Sequence, residues 1–482
     1  VVFKDLPNTT TPLNANTLNT AFSGAYQNAT EAEAAAALAQ QYAEQAGAPV
    51  DDQIAALFQS ATSQSRQVTD QIYGPYQPVD DSSYIGLWGV LSTSPSDAAV
   101  NSDIIDLALS QSRVVRLPPG KFHIARTINL YGPQKLIGSG SNATTLTSTN
   151  PTLTSVKFTG GPDCALLGMT ITKEVQPTSD VGYGIDFGIT SGGAMLDDLR
   201  IRKHGIGVRL GGCSLGNLTN TVVEWNFSHG VLITNQASSY NPLQWYLLNV
   251  LSQGNGGDGF RVVSAVGKGS CAFGKLVQCY TYANVGRGVI VAAPSSADGI
   301  AAVRISDCFF GGDGNDELYL DTFGGTHQIT NTYFELCGTD PTGPGIFAEA
   351  GWSTGPVPKS NIGYGMVVSG NTTAGLVSGC YFVQNSYSGV SSAGNQMLFS
   401  GNHFDSNGLA TASGRRIGLD IQNGTANVIG NISGNIAGST SQAYGFNFAV
   451  NTVIYNGNMT IGNAVAPRTG VAPGTIGTNR ET

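Results

Sequence analysis

Apolar positions in this chain come in short runs broken by glycine, asparagine, serine and aspartate. Val231-Leu232-Ile233 and Val289-Ile290-Val291 are typical, and glycine interrupts such runs too often for a helix, so they predict strands. From about Gly205 to Asp420 the pattern repeats: a small residue precedes an apolar one at Gly230-Val231, Gly259-Phe260 and Gly288-Val289, and the series continues at Glu317-Leu318. Polar positions keep the same step. Asn226, Asn255, Asn284 and Asp313 follow one another every 29 residues, and so do Glu224, Gln253, Tyr282 and Gly311. Several columns sharing one period of this size mark a solenoid in which each repeat is one coil. Residues of one column then lie roughly 4.8 Å apart, so asparagine amides hydrogen-bond along the stack. Asparagine also tolerates the left-handed backbone of a turn. The column carries on less regularly at Cys337, Asn385 and Asn407. The pattern predicts an all-β chain wound as a parallel β-helix.

Composition agrees with this class. In 482 residues there are 64 glycines, 11% charged and 41% hydrophobic residues, a profile that suits a turn-rich solenoid. A net charge of −9 without a basic stripe argues against nucleic acid and anionic membranes as partners. No apolar run is long enough to insert in a bilayer, and the N-terminus lacks the charged-then-apolar pattern of a signal peptide. Of the seven cysteines, Cys279 and Cys308 share a column and Cys380 takes the same place in a later coil. The odd count and core-like spacing favour reduced thiols acting as small apolar residues over a disulfide framework. No CxxC or His/Cys cluster supports a metal site, and no cofactor is expected.

In chain order, residues 1–29 are Pro/Asn/Thr-rich and extended, an attachment arm rather than a globular unit. Residues 30–72 predict a helical, coiled-coil segment: an alanine-rich helix closed by Gly47 and Pro49, then a second from about Asp51 to Ile72. The second places Ile54, Phe58, Ala61, Ser65, Val68 and Ile72 along a heptad seam, which predicts self-association. A homotrimer is preferred, although the heptads alone do not choose the number; the alternative is an amphipathic helix packing on its own domain. Residues 73–93 form a linker and lead-in, and 94–435 the β-helix, with Asp97 to Ser110 as a helix whose Ile104, Ile105, Leu107 and Leu109 cover the open end. Residues 436–482 are weakly repeating coils and a loosely held tail.

The stretch Val114-Val115-Arg116-Leu117-Pro118-Pro119-Gly120-Lys121-Phe122-His123-Ile124, followed by Thr127-Ile128-Asn129-Leu130 and Leu136-Ile137-Gly138-Ser139-Gly140, resembles the leading segment of pectate-lyase-like right-handed β-helices. Preceded by an arm and a coiled coil, it resembles bacteriophage tailspikes and polysaccharide depolymerases. The stretch from Phe3 to Asn19 is similar to the N-terminal part of phage tail fibres. In one departure, the family's Gly-Asp-Gly-x-x-Asp-Asp before the capping helix is replaced by Ser94-Pro95-Ser96-Asp97. The resemblance implies a right-handed parallel β-helix in a virion tail, joined through its N-terminus to a tail or baseplate protein. It implies a bacterial surface polysaccharide (capsule, exopolysaccharide or cell-wall glycan) as partner.

Candidate chemistry follows from the columns. Val231, Val289, Leu318 and Ile346 point inward, and residues three further on point outward; that column reads Arg209, Thr234, Val263, Ala292, Asp321, Glu349. Asp321 and Glu349 would therefore face out on neighbouring coils about 5 Å apart, where repulsion raises one pKa and leaves an acid beside an ionised partner. Endoglycosidic hydrolysis needs such a pair, and this spacing favours retention. Tyr319, Phe347 and Trp352 are placed to hold a sugar ring, with Glu335 on an earlier strand and Asp313, Asp316 and Glu317 one coil below. The alternative for this acidic patch is solvated surface charge, or a cation held between subunits. Glu224, beside Trp225 and His229, is a second candidate, with an ion pair to Arg202, Lys203, His204 or Arg209 as the structural reading. Those cations, with Arg261 and Tyr282, also leave open a lyase acting on uronic-acid polymers. A receptor-binding spike without catalysis is the remaining alternative, since fold does not fix function.

Overall fold

The computed structural model describes residues 77–78, 91–160, 163–187, 193–211, 216–235, 244–268, 271, 273–337, 363–409, 416–435, 441–470, 475–476 and 480–481. The chain divides into two units, Val1–Gln77 and Pro78–Thr482. The arm, the helices of 30–72 and their heptad seam lie outside the described residues.

The second unit is a parallel β-helix. Its strands fall on three faces. The first face includes Gly274–Val277, Arg304–Ser306, His327–Thr330 and Thr373–Ser378. The second includes Tyr280–Tyr282, Phe309–Gly311, Tyr333–Glu335, Tyr381–Val383 and His403–Asp405. The third runs through Ile206–Gly211, Val231–Thr234, Phe260–Val263, Val289–Ala292, Leu318–Asp321 and Met366–Val368. Each strand pairs in parallel with its equivalents on adjacent coils, as Val231 does with Phe260 and Phe260 with Val289. Alternation supplies the core: Val231, Ile233, Phe260, Val262, Val289, Val291, Leu318 and Leu320 are buried, while Thr234, Val263, Ala292 and Asp321 are partly exposed.

The asparagine column is a hydrogen-bonded ladder at the corner between the second and third faces. Asn226 Nδ2 donates to Asn255 Oδ1, Asn255 Nδ2 to Asn284 Oδ1 and Asn284 Nδ2 to Asp313 Oδ1, each at 2.8 Å. It resumes where Asn385 Oδ1 accepts from the Cys337 amide, and Asn385 donates to Asn407 at 2.9 Å. The left-handed residue of this corner is not the asparagine but the one before it: Trp225, Gly254, Ala283 and Gly312 have φ of +54°, +61°, +54° and +71°. The ladder residue must aim its buried amide along the stack, and its neighbour takes the turn. Asparagine's tolerance for positive φ is used instead at the corner between the first and second faces, by Asn220, Asn249 and Asn331. At that corner the buried, unbridged thiols of Cys279, Cys308 and Cys380 share a column, with the Cys279 amide 3.4 Å from Cys308 Sγ and the Cys380 amide donating to Asn402.

The helix Ala98–Gln111 caps the solenoid through Ala98, Ile104, Ile105, Ala108 and Leu109, whereas Leu107 faces solvent. Buried Asn101 ties it down, donating to the carbonyls of Ser92 and His123. The period of 29 does not persist. Glu335 pairs with Gly311, 24 residues earlier, and the next ladder step, Cys337 to Asn385, spans 48. Paired strands continue past residue 435 through Tyr444–Phe448, Val453–Asn456, Met459–Ile461 and Ala466–Gly470, supported by a ladder from Asn402 through Asn431 to Asn458.

Candidate functional site

The long coil decides which carboxylates meet. Leu318–Asp321 pairs with Met366–Val368, Leu320 opposite Val368, so the position beside Asp321 belongs to Ser369 and not to Glu349. Carrying the 29-residue step through a 48-residue coil misplaced that neighbour; Glu349, Phe347 and Trp352 lie outside the described residues. The other end of the column also shifts by two residues, because Arg209 pairs with Leu232 and Thr234 with Gly211. Asp321 is well satisfied: Ser369 Oγ and Asn371 Nδ2 both donate to its Oδ1. Beside it, Tyr319 is covered by the Arg287 guanidinium, 4.5 Å from the ring centroid, and Arg287 Nε donates to Asp316 at 3.0 Å.

Asp313, Asp316 and Glu317 are buried and do not form a substrate surface. Asp313 takes the asparagine's place in the ladder, accepting from Asn284 and, at 2.7 Å, from Thr281 Oγ1. Asp316 accepts from Arg287 and from the Tyr364 amide. Burial, then the neighbouring Asp313 charge, pushes the Glu317 carboxyl well above its ordinary range. These three acids hold a corner together.

Glu224 is fully buried, with Arg200 Nε donating to it at 2.6 Å and Gln253 Nε2 at 2.9 Å. Arg200 and Arg202 both lie over the Trp225 ring. The ion-pair reading therefore holds, with Arg200 at 2.6 Å and the expected Arg202 at 4.0 Å. The basic residues weighed for elimination do not converge. Arg209 pairs with Asp186, Arg261 pairs with Asp258, and buried His204, its pKa lowered by burial to about 3, bonds the Ile171 carbonyl.

Glu335 has different surroundings. The second face carries two outward columns. One reads Tyr280, Phe309, Tyr333, Tyr381, His403; the other reads Tyr282, Gly311, Glu335, Val383, Asp405. Between them, inward Phe334, Phe382 and Phe404 stack through the core, with Phe334 and Phe382 centroids 4.7 Å apart and Phe310 edge-on to Phe334, and this fixes the strands. The outward rings stack as well: Phe309 on Tyr333 at 5.5 Å and Tyr333 on Tyr381 at 5.7 Å, with His403 edge-on to Tyr381. They form an exposed aromatic strip, Tyr280 43% and Tyr381 48% accessible.

A groove of about 550 Å³ opens here, lined by Tyr280, Asp307, Phe309, Asn331, Tyr333 and Glu335. Partial burial raises the Glu335 carboxyl above its usual value, with no opposing cation or donor among the described residues. The Tyr333 phenol is raised too, by burial and then by the charges of Glu335 and Asp405. Only Val383 separates Glu335 from Asp405 in their column, so the two lie roughly 9.5 Å apart by strand spacing. That is near the upper end of the range in which a water fits between two carboxyl groups. Asp405 is oriented by Ser406 Oγ at 2.7 Å. It was absent from the sequence candidates, yet a signal existed: it precedes Asn407 by two residues, as Glu335 precedes Cys337 and Glu224 precedes Asn226.

No protein-family model matches the chain, and no curated protein matches it in sequence. Solved structures do match. The N-terminal fragment of bacteriophage Phi29 gene product 12 aligns with a TM-score of 0.59 at 12% identity, over 86% of this chain and 74% of that one. The A-module of Azotobacter vinelandii mannuronan C-5 epimerase AlgE6 aligns at 0.52 and 14% identity, over 84% of this chain and 98% of that one. Bacteriophage CBA120 tailspike protein 3 aligns at 0.51 and 15% identity, covering 82% of this chain and 58% of that one. At these identities the likeness is one of fold, and that fold is the parallel β-helix expected from the leading segment.

Proposed function

We propose that this protein is a bacteriophage tailspike that binds a bacterial surface polysaccharide along the second face of its β-helix and hydrolyses it with Glu335 and Asp405. The observation that carries this reading is the pairing of two outward carboxylates, two strand spacings apart, with an aromatic strip beside them. Tyrosine faces suit the apolar faces of sugar rings, and an open groove suits a polymer entering at mid-chain. Glu335, kept protonated more readily by its partial burial, donates a proton to the glycosidic oxygen. Asp405 takes a proton from a water that attacks the anomeric carbon from the opposite side. The separation supports inversion rather than the retention expected for an Asp321/Glu349 pair. The names of the matched tailspike and of the mannuronan epimerase, which acts on a polysaccharide, support the substrate class. The 51–72 heptads would join three copies, and residues 1–29 would attach them to a tail or baseplate protein.

The test is product analysis after incubating the protein with surface polysaccharides of candidate hosts, beside the Glu335→Gln and Asp405→Asn variants. Saturated oligosaccharides of inverted anomeric configuration, from the unmodified protein alone, are expected. Unsaturated products would show β-elimination, and binding without product would leave a receptor-binding spike.

A further inference from the structure

A second groove lies on the first face, away from both carboxylates, with a volume of about 520 Å³. Its outward column reads Asn217, Tyr246, Lys275, Arg304 on successive coils. Lys275 and Arg304 are therefore like charges one strand spacing apart, an arrangement that costs stability unless something anionic sits between them. By contrast, Arg126, Arg200, Arg209, Arg261 and Arg287 each pair with a carboxylate. Lys275 and Arg304, both exposed, pair with none among the described residues.

Two aromatic features complete the groove. Phe273 stands 59% accessible at φ +58°, a backbone conformation unfavourable for a bulky residue, and its ring lies at the wall. Trp245 packs beneath, in a space that only glycine allows, since a Cβ on Gly274 would come within 1.8 Å of its Cζ2. An aromatic wall beside two unpaired cations matches a sugar ring that carries a carboxylate.

We infer that this groove is a binding subsite for an acidic saccharide, one bearing uronic or sialic acid carboxylates. The inference rests on the polysaccharide reading above and extends it to a substrate class. The two grooves share a coil: Tyr280 lines the groove on the second face, and Lys275 lies five residues before it, across the Gln278 corner. One polymer crossing that corner reaches both.

The experiment uses the full chain with Glu335→Gln and Asp405→Asn installed, so that nothing is cleaved. Oligogalacturonate, oligosialate and a neutral maltooligosaccharide of equal length are titrated calorimetrically at low and high salt. One of the acidic probes should bind at least tenfold tighter than the neutral one, and more weakly as salt rises. Adding Lys275→Gln and Arg304→Gln should weaken it by about tenfold or more, while the melting temperature of the free protein does not fall. Phe273→Gly, which relieves the left-handed strain, should weaken binding without lowering the melting temperature. Equal affinity for the neutral probe, no binding of either acidic probe, or indifference to the Lys275/Arg304 changes would overturn the inference. The titration reads binding at the first-face groove and its dependence on Lys275 and Arg304, not turnover, so its outcome is independent of whether Glu335 and Asp405 catalyse; confirmed binding with no cleavage in the unmodified protein would remove only the hydrolase.

Discussion

Tyr319-Leu320-Asp321 and Tyr333-Phe334-Glu335 carry one local pattern: an outward tyrosine, an inward apolar residue and an outward acid. Their neighbours on adjacent coils make them different. On the third face Arg287 covers the tyrosine, while Ser369 and Asn371 occupy the aspartate. On the second face Phe309 and Tyr381 extend the tyrosine into an open strip, and among the described residues no cation or donor offsets the partial burial of the glutamate. A strand pattern offers chemistry, and the coils above and below either spend it on stability or leave it for a ligand.

The largest effect expected is on turnover. Glu335→Gln and Asp405→Asn should each lower kcat by about 10²–10⁴-fold, whereas Asp321→Asn and Glu349→Gln should stay within about threefold. Loss of activity in Asp321→Asn with Glu335→Gln intact would reverse the comparison. Next comes binding. Tyr333→Ala should raise KM by about tenfold through loss of stacking area, and Tyr319→Ala should leave KM unchanged while costing about 0.5–1 kcal/mol from the lost Arg287 contact.

The third prediction concerns the acids turned inward. Glu317 has a folded pKa raised above its unfolded value, first by burial and then by Asp313. Its contribution is fully present below the ordinary carboxylate pKa and is lost as pH rises through the folded value. Thermal stability of the unmodified protein should therefore fall across that window, and Glu317→Gln should flatten the slope; calorimetry at a series of pH values checks this. The smallest effect is expected from Ser369→Ala, about 1 kcal/mol of stability and no change in activity, read by chemical denaturation.

Much of the fold was legible because it is repetitive. The columns at Asn226, Asn255, Asn284 and Asp313, and their resumption at Cys337, Asn385 and Asn407, are hydrogen-bonded in that order. The alternation at Val231 and Val289 separated core from surface without any tertiary information. Glu335 entered the sequence reading only as one member of an acidic patch, on an earlier strand of the coil that carries Glu349. The acid proposed to act with Glu335, Asp405, was missed because it stands 70 positions further on in sequence, as 335 and 405 show, but two strands away in space.

The sequence by itself thus determined the coil, its inward and outward positions and the ladder at its corner, since all of these depend on spacing within one repeat and on the requirement that buried amides be paired. Only the tertiary structure decided which coils are neighbours once their lengths changed from 29 to 24 and then 48 residues. That choice of neighbour sets whether an outward carboxylate meets a hydroxyl, an arginine or open groove. A carboxylate's protonation and reactivity follow from what surrounds it, and its surroundings come from other coils.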